Sequence, residues 1–404
     1  MVKIFGGTWV YVAHESEIPH PDDYKTGLLG HRPIIIVRDH EGRVRVLFNR
    51  CLHRGATLCR QAQGSSKTFV CPYHGWTYAN DGRLAGIPWP KPYGADFDRT
   101  PFHLHQARVE SYRGFIFATL NPDMPPLREH LGRAADLLDE WLDRYPGGQV
   151  TLHSAAHRPI YAGNWKFAYD NAADGYHVNF SHRSLLVVAN RLGEEKDMQY
   201  FARSPDESAM YVQDLGNGHI FLDQRPSYDP RPGAFWDQQR PQPGREAYEQ
   251  VIRERYGEDA DRVLDWAIGA QMNLSIFPNL LIVGNQVESI QPLAVDRTQI
   301  TIYATTVEGI PEEINTLRMR TQEDFPAFGN SDDMINFAEC QRGLSIPEVE
   351  WVACNRGDGR SELRRRQDGV LTGPVTDELP IQGYYREWKR LMQSDIQLTA
   401  FVDC

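Results

Sequence analysis

Two short stretches constrain this chain more than any other: Cys51-Leu52-His53-Arg54-Gly55 and Cys71-Pro72-Tyr73-His74-Gly75-Trp76, with seventeen residues between His53 and Cys71. Each brings one thiol and one imidazole to short range, so together they offer two thiolates and two imidazoles. That donor set can close a tetrahedral structural zinc site. It can also hold a two-iron, two-sulfide cluster in which two histidines replace two cysteines on one iron. In zinc fingers the cysteines usually form one close pair and the histidines another, whereas here each pair mixes the two. The mixed arrangement lets the cysteines grip one iron and the histidines the other. Unrelated core cysteines and surface histidines would leave the matching offsets unexplained. The expectation is a Rieske [2Fe-2S] centre held by Cys51, His53, Cys71 and His74.

The surroundings read as small antiparallel sheets. Strand-like runs occur at Trp9-Val10-Tyr11-Val12, Pro33 to Arg38 and Val44 to Phe48, cut by turns such as Asp39-His40-Glu41-Gly42. Phe69-Val70 lies between the ligand loops, and Trp76-Thr77-Tyr78 leads into Asn80-Asp81-Gly82, a hairpin signal of the two-residue kind. Two hairpin tips that each carry a Cys and a His would clasp a cluster from both sides and leave its histidine edge exposed, the natural exit for an electron. Strand-like sequence resumes from Phe102 to Leu120; Pro122, Pro125 and Pro126 break it, and Leu127 to Tyr145 has helical spacing up to Pro146-Gly147-Gly148. A domain boundary is expected there, giving domains 1–148 and 149–404.

At 404 residues the chain exceeds one small electron-transfer domain and suits two domains with separate cores. A net charge of -11 without a basic stripe argues against nucleic-acid or anionic-membrane partners. No uncharged run is long enough to span a bilayer, and Met1 to Tyr11 lack a signal-peptide pattern, so a cytoplasmic location is expected. Cys59, Cys340, Cys354 and Cys404 have no pairing spacing and read as free thiols.

Past the boundary, Asp174, His177 and His182 are three potential ligands within nine residues, in Asp174-Gly175-Tyr176-His177-Val178-Asn179-Phe180-Ser181-His182. Asp174 and His177 would share a face of a helix. His177 and His182, five apart, reach one metal only if the helix ends or bulges between them. Two imidazoles and one carboxylate with the other side open is the donor set of Fe(II) sites that activate O₂. The carboxylate comes from Asp174 or from farther along the chain.

Cys-x-His-Arg-Gly followed by Cys-x-Tyr-His-Gly-Trp resembles the Rieske domain of the ring-hydroxylating non-haem iron oxygenases, in their large (alpha) subunit. Asn164-Trp165-Lys166 followed by Asp174-x-x-His177-x(4)-His182 is similar to the iron motif of the same family. The resemblance runs from Trp9 to the helix-like Tyr384 to Met392. It implies an α+β fold: an N-terminal all-β Rieske domain and a C-terminal catalytic domain with an antiparallel sheet flanked by helices, helix-grip-like. His177 and His182 match the iron ligands. Asp174 matches the aspartate that links a cluster histidine of a neighbouring subunit to an iron-bound histidine. The family's third ligand lies in a late Asp-Asp pair, here Asp332-Asp333, with Asp333 in the ligand position and Asp332 as the fallback. On sequence chemistry alone this pair, ahead of a helix-like Met334 to Leu344, reads as a helix N-cap.

The resemblance further implies O₂-dependent hydroxylation of an aromatic substrate, with electrons crossing from the cluster through His74 or His53, Asp174 and His177. Asn171, Asn273, Val283, Phe325 and Phe328 are candidate pocket residues. The short spacing from Asn171 to Asp174 is similar to branches acting on benzoate- or salicylate-like acids. Arg183, Arg191 and Arg225 lie near enough in sequence to meet a carboxylate. Ile220 to Gly244 reads as a loop excursion, Arg245 to Tyr256 and Ala260 to Ala270 as helices, and Met272 to Val283 and Val287 to Thr306 as strands. No Gly-x-Gly-x-x-Gly follows a strand, so NAD(P)H is expected to act only through a separate reductase, with a ferredoxin as a possible carrier. The expected assembly is α3 or α3β3. Two other readings compete. An O- or N-demethylating Rieske monooxygenase fits Tyr176 before His177 and the Asp332-Asp333 pair less well. A non-enzymatic electron carrier leaves everything after Gly148 unexplained.

Overall fold

In the computed structural model, residues 1–152, 156–184, 187, 208–227, 229–237, 245–359, 364–365 and 369–395 are described, with the side chains of 235, 324–328 and 364–365 outside that description. The chain divides into two units, Met1–His130 with the segment from Arg390, and Leu131–Lys389.

Short aromatic and β-branched runs separated by turns build the first unit. Its strands are β1 (Val10–His14), β2 (Asp23–Leu29), β3 (Arg32–Arg38), β4 (Val44–Phe48), β5 (Gln63–Ser65), β6 (Thr68–Val70), β7 (Thr77–Ala79), β8 (Leu84–Gly86), β9 (Gln106–Tyr112) and β10 (Phe115–Thr119). Seven pair in the order β1-β10-β9-β4-β3-β2-β5, and β6-β7-β8 form a separate sheet. β2 has no counterpart in the sequence reading, because Asp23-Tyr24-Lys25-Thr26-Gly27 is mostly polar and its strand is only half buried. The turn between β7 and β8 is longer than the expected two residues: Ala79 N–H donates to Arg83 O (2.9 Å), so Asn80, Asp81 and Gly82 all lie in the loop, with Gly82 at φ +97°.

The second unit starts earlier than Gly148. Trp141 and Leu142 are buried, and Trp141 Nε1 donates to Gly284 O (2.8 Å), which ties helix Arg133–Leu142 to the second unit. The expected single helix from Leu127 is broken at Gly132, whose φ of 51° interrupts Leu127–Leu131 and Arg133–Leu142.

The remaining strands are β11 (Thr151–Leu152), β12 (Ile160–Tyr161), β13 (Tyr211–Gly216), β14 (His219–Asp223), β15 (Met272–Ile276), β16 (Leu280–Val283), β17 (Gln286–Ala294), β18 (Arg297–Tyr303), β19 (Thr305–Thr306), β20 (Arg364–Arg365) and β21 (Leu371–Pro374). Nine of them form one antiparallel sheet in the order β12-β18-β17-β16-β15-β14-β13-β21-β20. Ile220 to Asp223, expected as loop, is thus an inner strand with every residue buried. Turns and the short helix Ala234–Asp237 follow it, and residues 238–244 lie outside the described residues.

Helix Glu312–Gly343 runs unbroken for 32 residues. The expected helix start at Met334 is therefore corrected, and the capping role of Asp332-Asp333 falls with it: both sit in the interior of a helix. Arg318, fully buried on this helix, donates to Tyr145 Oη (2.6 Å), Trp266 O (2.7 Å) and Thr305 Oγ1 (2.9 Å). These bonds fix the long helix against β19 and the segments at Tyr145 and Trp266.

Candidate active site

The two Cys-His loops share one hydrogen-bond frame. Cys51 N–H donates to Ala56 O (2.8 Å) and Gly55 N–H to Cys51 O (2.9 Å); Cys71 N–H donates to Trp76 O (2.8 Å) and Gly75 N–H to Cys71 O (3.0 Å). Each loop closes on a glycine with positive φ, +80° at Gly55 and +69° at Gly75, which a side chain would disfavour. The histidine is two residues after the cysteine in one loop and three after it in the other. Even so, the two rings meet with centroids 4.6 Å apart, and His53 stacks on Trp76 at 4.9 Å.

The chemistry of this group fits a [2Fe-2S] cluster. Burial and the adjacent Cys71 push the Cys51 thiol up, while the Tyr78 hydroxyl and the His53 amide pull it back. Tyr78 Oη lies 3.4 Å from Cys51 Sγ and accepts from Leu52 N–H at 3.0 Å. Burial, His74 and Arg54 hold His53 below the usual histidine range, as a neutral imidazole ligand requires. His53 Nδ1 and His74 Nδ1 are buried with no hydrogen-bond partner among the described residues.

In the second unit, helix Lys166–Asn171 is anchored by Tyr169, whose hydroxyl donates to Gly218 O (2.8 Å) and Ser275 O (3.1 Å). The chain then leaves the helical path through Asp174-Gly175-Tyr176. Gly175 passes so close to Val375 that a Cβ there would sit 2.5 Å from its carbonyl oxygen. One helical turn, Val178–Ser181, follows, with His177 at its N-cap and His182 at its C-cap. The interruption required by the five-residue spacing is therefore two helix ends.

His177 Nε2 and His182 Nε2 are 3.3 Å apart, and Asp333 Oδ1 lies 3.6 Å from the first and 3.3 Å from the second. An ion at the centre of that triangle would be about 2 Å from each corner, an ordinary bond length for N and O donors on a divalent metal. The outer nitrogens face carboxylates as well: His177 Nδ1 is 3.3 Å from Asp174 Oδ2, and His182 Nδ1 is 3.6 Å from Asp332 Oδ2. Asn171 hydrogen-bonds Asp333. Burial pushes the Asp333 carboxyl up against the pull of His182 and His177. Burial opposes a charged His177, but the hydrogen bond and charge of Asp174 outweigh it, and the imidazole is held above its usual value. Three carboxylates around two imidazoles form a site suited to a cation. It fits a mononuclear Fe(II) centre.

This triangle borders a cavity of about 400 Å³. Leu222, Ile268, Leu281, Val283, Ile300 and Phe337 give it apolar walls. Asn171, Asn273 and Val283 line it as expected, whereas the side chains of Phe325 and Phe328 lie outside the described residues. Arg225 is engaged by Asp223 (2.7 Å) and Glu140 (3.1 Å), Arg183 is exposed, and Arg191 lies outside the described residues. Tyr78, Glu288 and the orienting position of Asp332 escaped the sequence reading. The available signal for Glu288 was a lone charge in the β-patterned run Val287-Glu288-Ser289-Ile290.

Residues 8–113 match the Rieske [2Fe-2S] domain, and residues 138–394 match the ring hydroxylating alpha subunit (catalytic domain). The chain is 34% identical to the 2-halobenzoate 1,2-dioxygenase large subunit of Burkholderia cepacia, over 88% of this chain and 76% of that protein. It is 33% identical to the toluate 1,2-dioxygenase subunit alpha of Pseudomonas putida, over 93% and 80%. Among solved structures it resembles naphthalene 1,2-dioxygenase with indole bound in the active site, with a TM-score of 0.78, 26% identity, and coverage of 97% of this chain and 88% of that one. A quaternary ammonium Rieske monooxygenase shares the fold at 18% identity and a TM-score of 0.62, over 96% of this chain and 90% of that one.

Proposed function

The chain belongs to the ring-hydroxylating oxygenases as a large (alpha) subunit, and on that premise we propose that it dioxygenates an aromatic carboxylic acid at the cavity beside His177, His182 and Asp333. The observation that carries this reading is the triangle of His177 Nε2, His182 Nε2 and Asp333 Oδ1, with edges of 3.3 to 3.6 Å, opening on an apolar-walled cavity. Cys51, His53, Cys71 and His74 would hold the [2Fe-2S] cluster, and His177, His182 and Asp333 the Fe(II). When bound, the cluster would supply one-electron transfer and the Fe(II) the open coordination chemistry for O₂ activation.

The chain's own residues prepare that chemistry. The Asp174 carboxylate faces His177 Nδ1 at 3.3 Å, where its charge favours a proton and leaves Nε2 to the metal; Asp332 faces His182 Nδ1 at 3.6 Å. Asn171 restrains Asp333. The apolar walls take up the aromatic ring and exclude water from it. Asp174 is the proposed hydrogen-bonded link for electrons arriving from a cluster.

The electron donor in this reading is a separate reductase using NAD(P)H, with or without a ferredoxin, and the assembly is α3 or α3β3 in the cytoplasm. Among the described residues no helix is long and apolar enough to cross a membrane. Product analysis after turnover of benzoate-type substrates under ¹⁸O₂ tests the reading. A cis-diol with both oxygens from one O₂ is expected, whereas a singly labelled phenol or a demethylated product would favour the monooxygenase alternative.

A further inference from the structure

Among the described residues lining the cavity, Glu288 is the one ionisable side chain outside the arrangement of Asp174, His177, His182 and Asp333. Its place follows from sheet register. On β17 it pairs with Leu281 of β16 and Ile302 of β18, and Gln286, two residues back on the same face, pairs with Val283. Leu281, Val283, Gln286 and Glu288 all line the cavity, so this face of the sheet is its floor.

The other polar groups on the floor are occupied within the protein. Gln286 Nε2 donates to Gln322 O (2.5 Å), Asn273 Nδ2 to Ala172 O (3.0 Å), and Asn285 Oδ1 accepts from Tyr145 Oη (3.0 Å). Glu288 is only 5% exposed, and its carboxyl makes no hydrogen bond or ion pair among the described residues. None of the described lining residues is Lys or Arg. A carboxyl group taken out of water without a partner is costly, so such groups in native proteins usually answer to a ligand or a water. Burial pushes the Glu288 carboxyl above the usual carboxylate range.

We propose that Glu288 determines specificity by accepting a hydrogen bond from an amino or hydroxyl substituent on the aromatic substrate, so that the cavity selects such compounds over their methyl counterparts. This rests on the reading of the cavity as the substrate site. A methyl group has the size of an amino group but leaves the carboxyl unpaired, so the two are told apart by the hydrogen bond and not by fit.

Calorimetric titration of the anaerobic full-length holoprotein with matched pairs tests it: 2-aminobenzoate against 2-methylbenzoate, aniline against toluene, and phenol against toluene. At least one amino or hydroxy compound is expected to bind about tenfold more tightly than its methyl partner, the factor that one hydrogen bond typically supplies. Glu288→Leu should reduce that preference to near unity by weakening the polar member. Glu288→Gln, which keeps the shape and an acceptor, should retain most of it and guards against a folding artefact. A panel in which no polar member is preferred, or a Glu288→Leu protein that keeps the preference, overturns the proposal. Binding is read without turnover, so this result is separate from the ¹⁸O₂ experiment: the floor can fail to select while dioxygenation stands, and the reverse.

Discussion

Asp174 Oδ2 lies 3.3 Å from His177 Nδ1, while the opposite nitrogen of the same ring, Nε2, faces Asp333 Oδ1 at 3.6 Å. One imidazole therefore spans a carboxylate behind it and the metal triangle before it. The second carboxyl oxygen of Asp174 accepts from Tyr176 N–H at 2.6 Å, which fixes the aspartate's own orientation.

Asp174→Asn keeps the shape and loses the charge. Both metal sites should still fill, while turnover falls roughly 10- to 100-fold or more, the range for removal of a carboxylate behind a ligating histidine. Iron and sulfide analysis beside O₂ uptake checks this. Near-normal turnover in the variant would remove Asp174 from the mechanism.

Asp333→Ala should lose the mononuclear iron and retain the visible spectrum of the cluster, because it deletes one corner of the triangle. Asp332→Ala should keep the iron with affinity lowered by roughly 10- to 100-fold, since it only supports His182 from behind. Equilibrium dialysis with Fe(II) distinguishes them. The opposite pattern would move the ligand by one residue.

Legibility in the sequence followed the range over which each site is assembled. Cys51, His53, Cys71 and His74 declare a cluster because their spacing is local and each loop closes on its own hydrogen bonds. His177 and His182 are nearly as local. Asp333 comes from a distant helix, and only family resemblance pointed to it; its own neighbourhood, Pro326 to Asp332, looks like a break and a cap, yet tertiary packing carries one helix from Glu312 to Gly343. β14 was hidden by the Pro, Gln and Arg residues that follow Asp223. Glu288 becomes meaningful only once the register of β16, β17 and β18 shows which face it occupies.

Tyr78→Phe removes the hydroxyl 3.4 Å from Cys51 Sγ. A hydrogen bond to a ligand sulfur favours the more electron-rich, reduced cluster, so its loss should lower the reduction potential. A net worth of about 1 kcal/mol corresponds to a shift on the order of 50 mV for one electron. Spectroelectrochemical titration measures it, and an unchanged potential would show that the hydroxyl does not act on the sulfur.

His14 should make the first unit acid-sensitive. Its Nδ1 accepts from Ser16 N–H, and its Nε2 is packed so tightly on Gly114 that a Cβ there would be 2.6 Å away. Burial, which outweighs the charges of Glu17 and Glu15, pushes it from 6.5 down to about 4. Between those values the unfolded chain binds a proton that the folded chain refuses, so stability is full above about 6.5 and falls as pH drops toward 4, by about 3 kcal/mol at most. His14→Asn keeps a capping acceptor without titrating in this window. Its unfolding curves should show a shallower decline than the wild type between pH 6.5 and 4; parallel declines would exclude His14 as the source.

The most direct measurement is the iron and acid-labile sulfide content of anaerobically purified protein, with an EPR spectrum after dithionite reduction. About three irons and two sulfides per chain with a Rieske-type signal are expected from a [2Fe-2S] centre plus one mononuclear iron. Two irons and two sulfides, with no further iron bound on adding Fe(II), would leave the Cys51, His53, Cys71 and His74 cluster standing and contradict a metal at His177, His182 and Asp333.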